Sequence, residues 1–253
     1  MQLRAYLNDS KDPLNALVMV TPLFVAYQLG ILFTGGVRNG VDFVTDMLLL
    51  VIGGALSFAT GSASKGAVLT TYLVVNALVL VAALSAIAVL RKKGALHPRL
   101  WPLVIVESTV YALLFGSAVQ LMMRAFGLDA LLAAGAADEM SPFVGLVSSI
   151  GAGLYEEIVF RLFLMGGLFA LFSRLPGGRI GFAAFGAVVV SSAIFSLVHH
   201  FGPMGDPFTF GVFFFRFFAG VILAAVFSLR GFAVAVYTHA IYDVLVLVIR
   251  GML

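Results

Sequence analysis

Three charged side chains, Glu156, Glu157 and Arg161, lie in a stretch from Pro142 to Phe172 that is otherwise apolar enough to cross a bilayer. A charge near the centre of a membrane helix costs roughly 2.5–3.5 kcal/mol on insertion scales, so a trio held there needs compensation and a purpose. Two later sites suggest the purpose. His199 closes the apolar run Ala193 to Val198, and His239 is followed four residues later by Asp243 within another apolar segment. A glutamate, two histidines and a second carboxylate on three membrane helices look like an active site, in which a glutamate held at low dielectric can take a proton from water near neutral pH.

Helical spacing sorts the individual roles. Glu157 and Arg161 are four apart and share a face, so Arg161 neutralises Glu157 as an intrahelical pair. Glu156 lies about 100° around and is left to point into the bundle as the working carboxylate. Glu157 and Arg161 are read as structural support. Only one of His199 and His200 can share the face of Phe195, and that one is His199. His239 and Asp243 also share a face, which lets Asp243 accept from one ring nitrogen and fix the tautomer of the other. Among the remaining intramembrane charges, Glu107 and Arg216 are candidates to pair with each other or with the site. Asp42 and Asp46 suit the positive end of a helix dipole.

The elements that position these residues follow from composition. The chain has 253 residues, 62% of them hydrophobic and 11% charged, with a mean hydropathy of +1.10. A soluble domain carries about 25% charged residues, so this chain is an all-α, polytopic membrane helix bundle whose core is shared with lipid. Taking about 20 apolar residues per crossing, about eight transmembrane helices are expected, at roughly 14–34, 41–60, 66–90, 101–124, 142–172, 180–200, 207–229 and 231–250. The fifth is long enough to tilt or to leave the membrane at its N-terminal end. The connection 125–141 is Ala-rich and acidic and divides 1–141, N-terminal helices and loop, from 142–253, which holds the candidate site. The two together form one integral membrane domain. With no cysteine in the chain, thiolate catalysis and Cys-ligated metals are ruled out. Scattered basic residues give no face for nucleic acid, so the expected partners are the lipid bilayer and a membrane-associated substrate.

Counting Lys and Arg in alternate loops of an eight-helix chain places Arg38, Arg91, Lys92, Lys93, Arg99, Arg174, Arg179 and Arg230 on one side. Arg4, Lys11, Lys65, Arg124 and Arg250 fall on the other. The richer side is cytoplasmic by the positive-inside rule, which would leave both termini outside.

The motif residues resemble those of the CPBP intramembrane proteases, the superfamily that includes type II CAAX prenyl endopeptidases and bacteriocin-processing or immunity relatives. Glu156-Glu157-Ile-Val-Phe-Arg161 fits EExxxR, Phe195-Ser-Leu-Val-His199 fits FxxxH, and His239-Ala-Ile-Tyr-Asp243 fits the third motif, in that order and on successive segments. The resemblance covers about residues 142–250. It implies peptide-bond hydrolysis at the membrane, with Glu156 and His199 activating water and with His239 and Asp243 stabilising or orienting at the oxyanion. Asp243 stands where the prenyl proteases place asparagine. An ionised aspartate cannot donate to an oxyanion, so it is either protonated or acts by orienting His239. No cofactor is expected, and HExxH is absent, although two His and one Glu would also make a zinc set. The expected substrate is a membrane-anchored protein or peptide, such as a leader peptide or the tail of an exported protein, in the inner membrane of a bacterial cell. The alternatives are a non-catalytic bacteriocin-immunity or binding protein and a proton-coupled transporter, the latter expected to show inverted repeats.

Overall fold

The computed structural model describes residues 3–34, 39, 42, 54, 65–131, 140–175, 179–201 and 205–249. Among them there are helices and turns and no strand, as lipid demands of a chain whose backbone groups must be satisfied within each spanning segment. A short α1 (Leu3–Asp9) precedes α2 (Pro13–Ile31), α3 (Lys65–Arg91) and α4 (Leu100–Ala125). One long helix then starts as α5 (Pro142–Gly151), widens into a π-helix (Ala152–Met165) and ends as α6 (Gly166–Phe172). It is followed by α7 (Ile180–Val198), α8 (Phe210–Arg230) and α9 (Phe232–Asp243), which continues as a second π-helix (Val244–Ile249).

Local chemistry sets where several of these helices start. Asp12 caps α2 by accepting from the Asn15 amide, and Pro13 occupies the first turn, where a missing N–H costs nothing. Ser141 with Pro142 repeats the device at α5, and Thr209 caps α8 by accepting from Val212. Between α8 and α9 the bare turn is made by Gly231, whose φ of 94° lies in the left-handed region. Among the described residues six helices are long and apolar enough to cross a membrane. The long helix through residues 142–172 is not one of these six, and its π segment carries buried charges. Leu73, Leu78, Leu113, Phe182 and Phe185 stay exposed at the outer surface of the bundle, a surface suited to lipid.

The expected helix at 41–60 lies outside the described residues, as does Asp46. Asn15 near the start of α2 donates to the Ala95 carbonyl and accepts from the His97 amide, beyond the end of α3. At the opposite ends, Tyr72 of α3 donates to the Gln28 carbonyl of α2 at 2.9 Å. Thus α2 and α3 run antiparallel side by side.

The structure corrects one expectation, the pairing of the charges away from the centre. Glu107 of α4 pairs with Arg230 at the end of α8, with Nη2 to Oε2 at 2.9 Å, and also accepts from Tyr6 and Tyr111. Arg216 pairs instead with Asp206. Arg230 further bonds the Leu7 carbonyl and Ser10, so α1 is bound to the bundle by a buried polar knot. Burial and the Glu107 carboxylate push the Tyr6 phenol above its usual range, which keeps it a donor.

Two elements meet at the centre because one residue lacks a side chain. A Cβ on Gly153 would lie 2.6 Å from the Ala240 Cβ and 2.7 Å from the Val236 carbonyl, so the π segment touches α9 backbone to backbone. Gly153→Ala is expected to force these helices apart, with a loss of about 1–3 kcal/mol. A lowered thermal unfolding midpoint in detergent would show it, and an unchanged midpoint would mean that the contact is not tight.

Candidate active site

Adjacent residues of an α-helix diverge by about 100°. A π-helix closes its hydrogen bonds five residues along rather than four, so it turns less per residue, and such segments are frequent at functional sites. Here the π-helix spans Ala152–Met165 and carries both glutamates and Arg161. The smaller turn lets Glu156 and Glu157 approach the same neighbour. Both reach His239 of α9, Glu157 through Oε1 to Nδ1 at 2.8 Å and Glu156 through Oε2 to Nε2 at 3.8 Å.

Glu156 lies between three elements. Its Oε2 is 3.6 Å from Nε2 of His199 at the end of α7, and its Oε1 accepts from the Asn39 side chain at 2.9 Å. His199 holds its other nitrogen, Nδ1, 2.7 Å from the Phe195 carbonyl. A carbonyl only accepts, so Nδ1 donates and the neutral ring presents a lone pair from Nε2 towards Glu156. The sequence-expected residues Glu156, His199, His239 and Asp243 therefore meet in one place. Asp243 is the outermost, with Oδ2 3.7 Å from His239 Nε2.

Beneath this group lies a support layer. Glu157 is fully buried and pairs with Arg161 Nε at 3.3 Å. Arg161 reaches the Gly220 carbonyl of α8 at 3.5 Å, and its guanidinium carbon sits 4.5 Å above the centre of the Phe195 ring, a favourable place for a desolvated cation. Phe195 also packs edge-on to His199 and His239. Three helices are thus tied together through one arginine and one ring.

Two details differ from the sequence reading. The tautomer-fixing partner of His239 is Glu157, within hydrogen-bond range, whereas Asp243 at 3.7 Å is beyond it. Periodicity alone favoured Asp243 because it shares the histidine's helix, and the cross-helix contact of Glu157 depends on how the π segment docks. Asn39 was not foreseen at all. It lies in a polar, glycine-bearing stretch that reads as a turn, and its amide donates to Tyr27 of α2, whose ring packs on Tyr155. No spacing in the sequence links Asn39 to residue 156.

A zinc set of Glu156, His199 and His239 was open on composition. Among the described residues no three His, Asp or Glu side chains form a group placed to hold an ion.

Spanning helices around buried, ionisable side chains define a polytopic membrane protein with an intramembrane polar site. Residues 138–245 match the family model described as Type II CAAX prenyl endopeptidase Rce1-like. This stretch contains all three motifs, and the segment that carries the site is similar to that family. No curated protein and no solved structure matches the chain.

The buried pair yields a stability test. Removing one member of a buried ion pair typically costs about 3–5 kcal/mol, since the other charge is left unpaired. Arg161→Met is expected to lose that much, and Arg161→Met with Glu157→Gln to lose less than the two separate losses added. Additive losses in thermal unfolding would show that the two side chains are not coupled.

Proposed function

We propose that the chain is an intramembrane endopeptidase of the glutamate type, hydrolysing a peptide bond in a membrane-anchored protein or peptide. The observation that carries this reading is the meeting of Glu156 Oε2 with Nε2 of His199 and Nε2 of His239 at 3.6 and 3.8 Å. These separations are too long for direct hydrogen bonds and suit an intervening water.

In this mechanism Glu156 takes a proton from water while His199 Nε2 orients it, and the water oxygen bonds to the scissile carbonyl carbon. The carbonyl electrons move onto oxygen. His239 as imidazolium, anchored through Nδ1 by Glu157, donates from Nε2 to that oxyanion. When the tetrahedral intermediate collapses, the C–N bond breaks and Glu156 returns its proton to the leaving amine. The remaining water proton, left on the new carboxyl group, passes to the amine, so the products are a carboxylate and an ammonium group, and the enzyme is restored. Asn39 holds the second oxygen of Glu156, leaving Oε2 to do the proton work. Asp243 offsets the imidazolium charge from the open side, a role that an ionised carboxylate can fill. No cofactor takes part, and the substrates are leader peptides or membrane-anchored tails in a bacterial inner membrane.

Co-expression with a panel of leader-peptide and membrane-tail reporters tests this. Glu156→Gln and His199→Ala are expected to lower cleavage by roughly 10²–10⁴-fold with the fold intact, and His239→Ala by about 10²–10³-fold. Cleavage should persist in a chelator, whereas its loss there would move the chemistry to a metal. Full activity in Glu156→Gln would end the glutamate reading.

A further inference from the structure

The ends of the helices divide into two sets. On one side lie the N-terminal segment, the α3–α4 turn, the α6–α7 turn and the α8–α9 turn. Asn15 joins the first two through Ala95 and His97, and Arg230 joins the last to Leu7 and Ser10. Phe172 at the end of α6 packs in one cluster with Phe227, one turn from the end of α8. On the other side, the start of α5 meets the end of the chain's last helix, since a Cβ on Gly145 would touch Val248 and Leu247. Gly30, at the end of α2, lies there against Val147.

Charge is distributed unevenly between these sides. The first carries Arg4, Lys11, Arg91, Lys92, Lys93, Arg99, Arg174, Arg179 and Arg230. Among the described residues the second carries Lys65, Arg124 and Arg216, the last paired with Asp206. Adding Arg38 and Arg250, which lie outside the described residues, changes nothing in the ordering. By the positive-inside rule the first side is cytoplasmic. This reverses the sequence-based placement of the N-terminal end, which lies on the positive side.

Exposure of the site is equally one-sided. Towards the basic side lie Glu157 and Arg161, at 0 and 2% exposure, with Ser192 buried against Gly220 behind them. Towards the other side exposure rises, to 25% for His199, 21% for Asp243, 26% for Arg216 and 50% for Asp206. The Asp206 amide donates to the His199 carbonyl at 2.9 Å, so this rim continues directly from the site. The basic-side end is closed by packed helices, and the opposite end is polar and accessible.

We infer that the catalytic centre opens to the non-cytoplasmic side of the membrane, so that its substrates are membrane-anchored polypeptides presenting their scissile segment on the exported side. The substrate class rests on the protease reading above; the direction of the opening does not. Cytoplasmic termini and tails are excluded by the same closure.

The absence of cysteine from the chain permits a direct test. Phe208→Cys at the rim and Lys93→Cys at the opposite end both replace exposed side chains. Each variant is produced in bacterial spheroplasts and treated with a membrane-impermeant maleimide before and after lysis, with Asp206→Cys and Lys92→Cys as a second pair. Labelling of the rim cysteines before lysis, and of the Lys93 and Lys92 positions only after it, is expected. The reverse pattern, or equal labelling of both before lysis, would overturn the inference. Paired reporters carrying the cleavage segment on the exported or the cytoplasmic end of one anchor supply the second arm. Glu156-dependent cleavage of the exported form alone is expected, and cleavage of the cytoplasmic form would overturn the inference. Failure of both reporters with the expected labelling would count against the protease reading and leave the direction standing.

Discussion

A charge in a low-dielectric interior must be matched where it stands, and the carboxylate of Glu157 is where this protein meets that demand. It is fully buried, and two partners from different directions share it, Arg161 from its own helix and His239 from α9. Arg161 in turn lies over Phe195 and reaches the carbonyl of Gly220. One anionic group therefore fixes the relative placement of the π segment, α7, α8 and α9. The second oxygen-bearing residue of the pair, Glu156, stays outside that network and faces His199. Support and chemistry are divided between adjacent residues.

The division depends on the π-helix. An α-helix would send two consecutive side chains about 100° apart, one of them away from His239. A wider turn keeps both near it and exacts a compensating fit, because the broader helix must still pack. Gly153 supplies that fit against Ala240, and Gly151 does the same against Tyr27. The N-terminal helices are thus not a separate platform. Tyr27 and Asn39 reach the site from the first part of the chain, outside the motifs.

The peripheral charges follow the same rule with a different result. Glu107 and Arg230 satisfy each other far from the site and bring α1 under the bundle through Tyr6, Leu7 and Ser10. Arg216 and Asp206 pair at the opposite, more exposed rim, where water weakens the interaction and ordering the chain is its main effect. Polar residues in this bundle therefore form a partly buried knot at one end, a candidate site inside, and a more exposed rim at the other end.

Composition and local spacing were sufficient for the membrane class and the helical fold, and they singled out Glu156, His199, His239 and Asp243 as candidates, which the tertiary structure brings together. Hydropathy and charge rarity are properties of residue type, and side chains four apart on a helix meet whatever surrounds them. The Glu157–Arg161 pair was legible for that reason. The partner of His239, the use of Asn39, the exchange of partners by Glu107 and Arg216, and the side on which each loop lies were not. Each of these is a contact between segments far apart in the chain, and one apolar helix face is chemically much like another until packing brings a particular glycine or carboxylate against it. What the sequence by itself determined was which groups must avoid lipid. Only the tertiary structure decided which of them would satisfy one another, because that depends on distances between helices that no local pattern encodes.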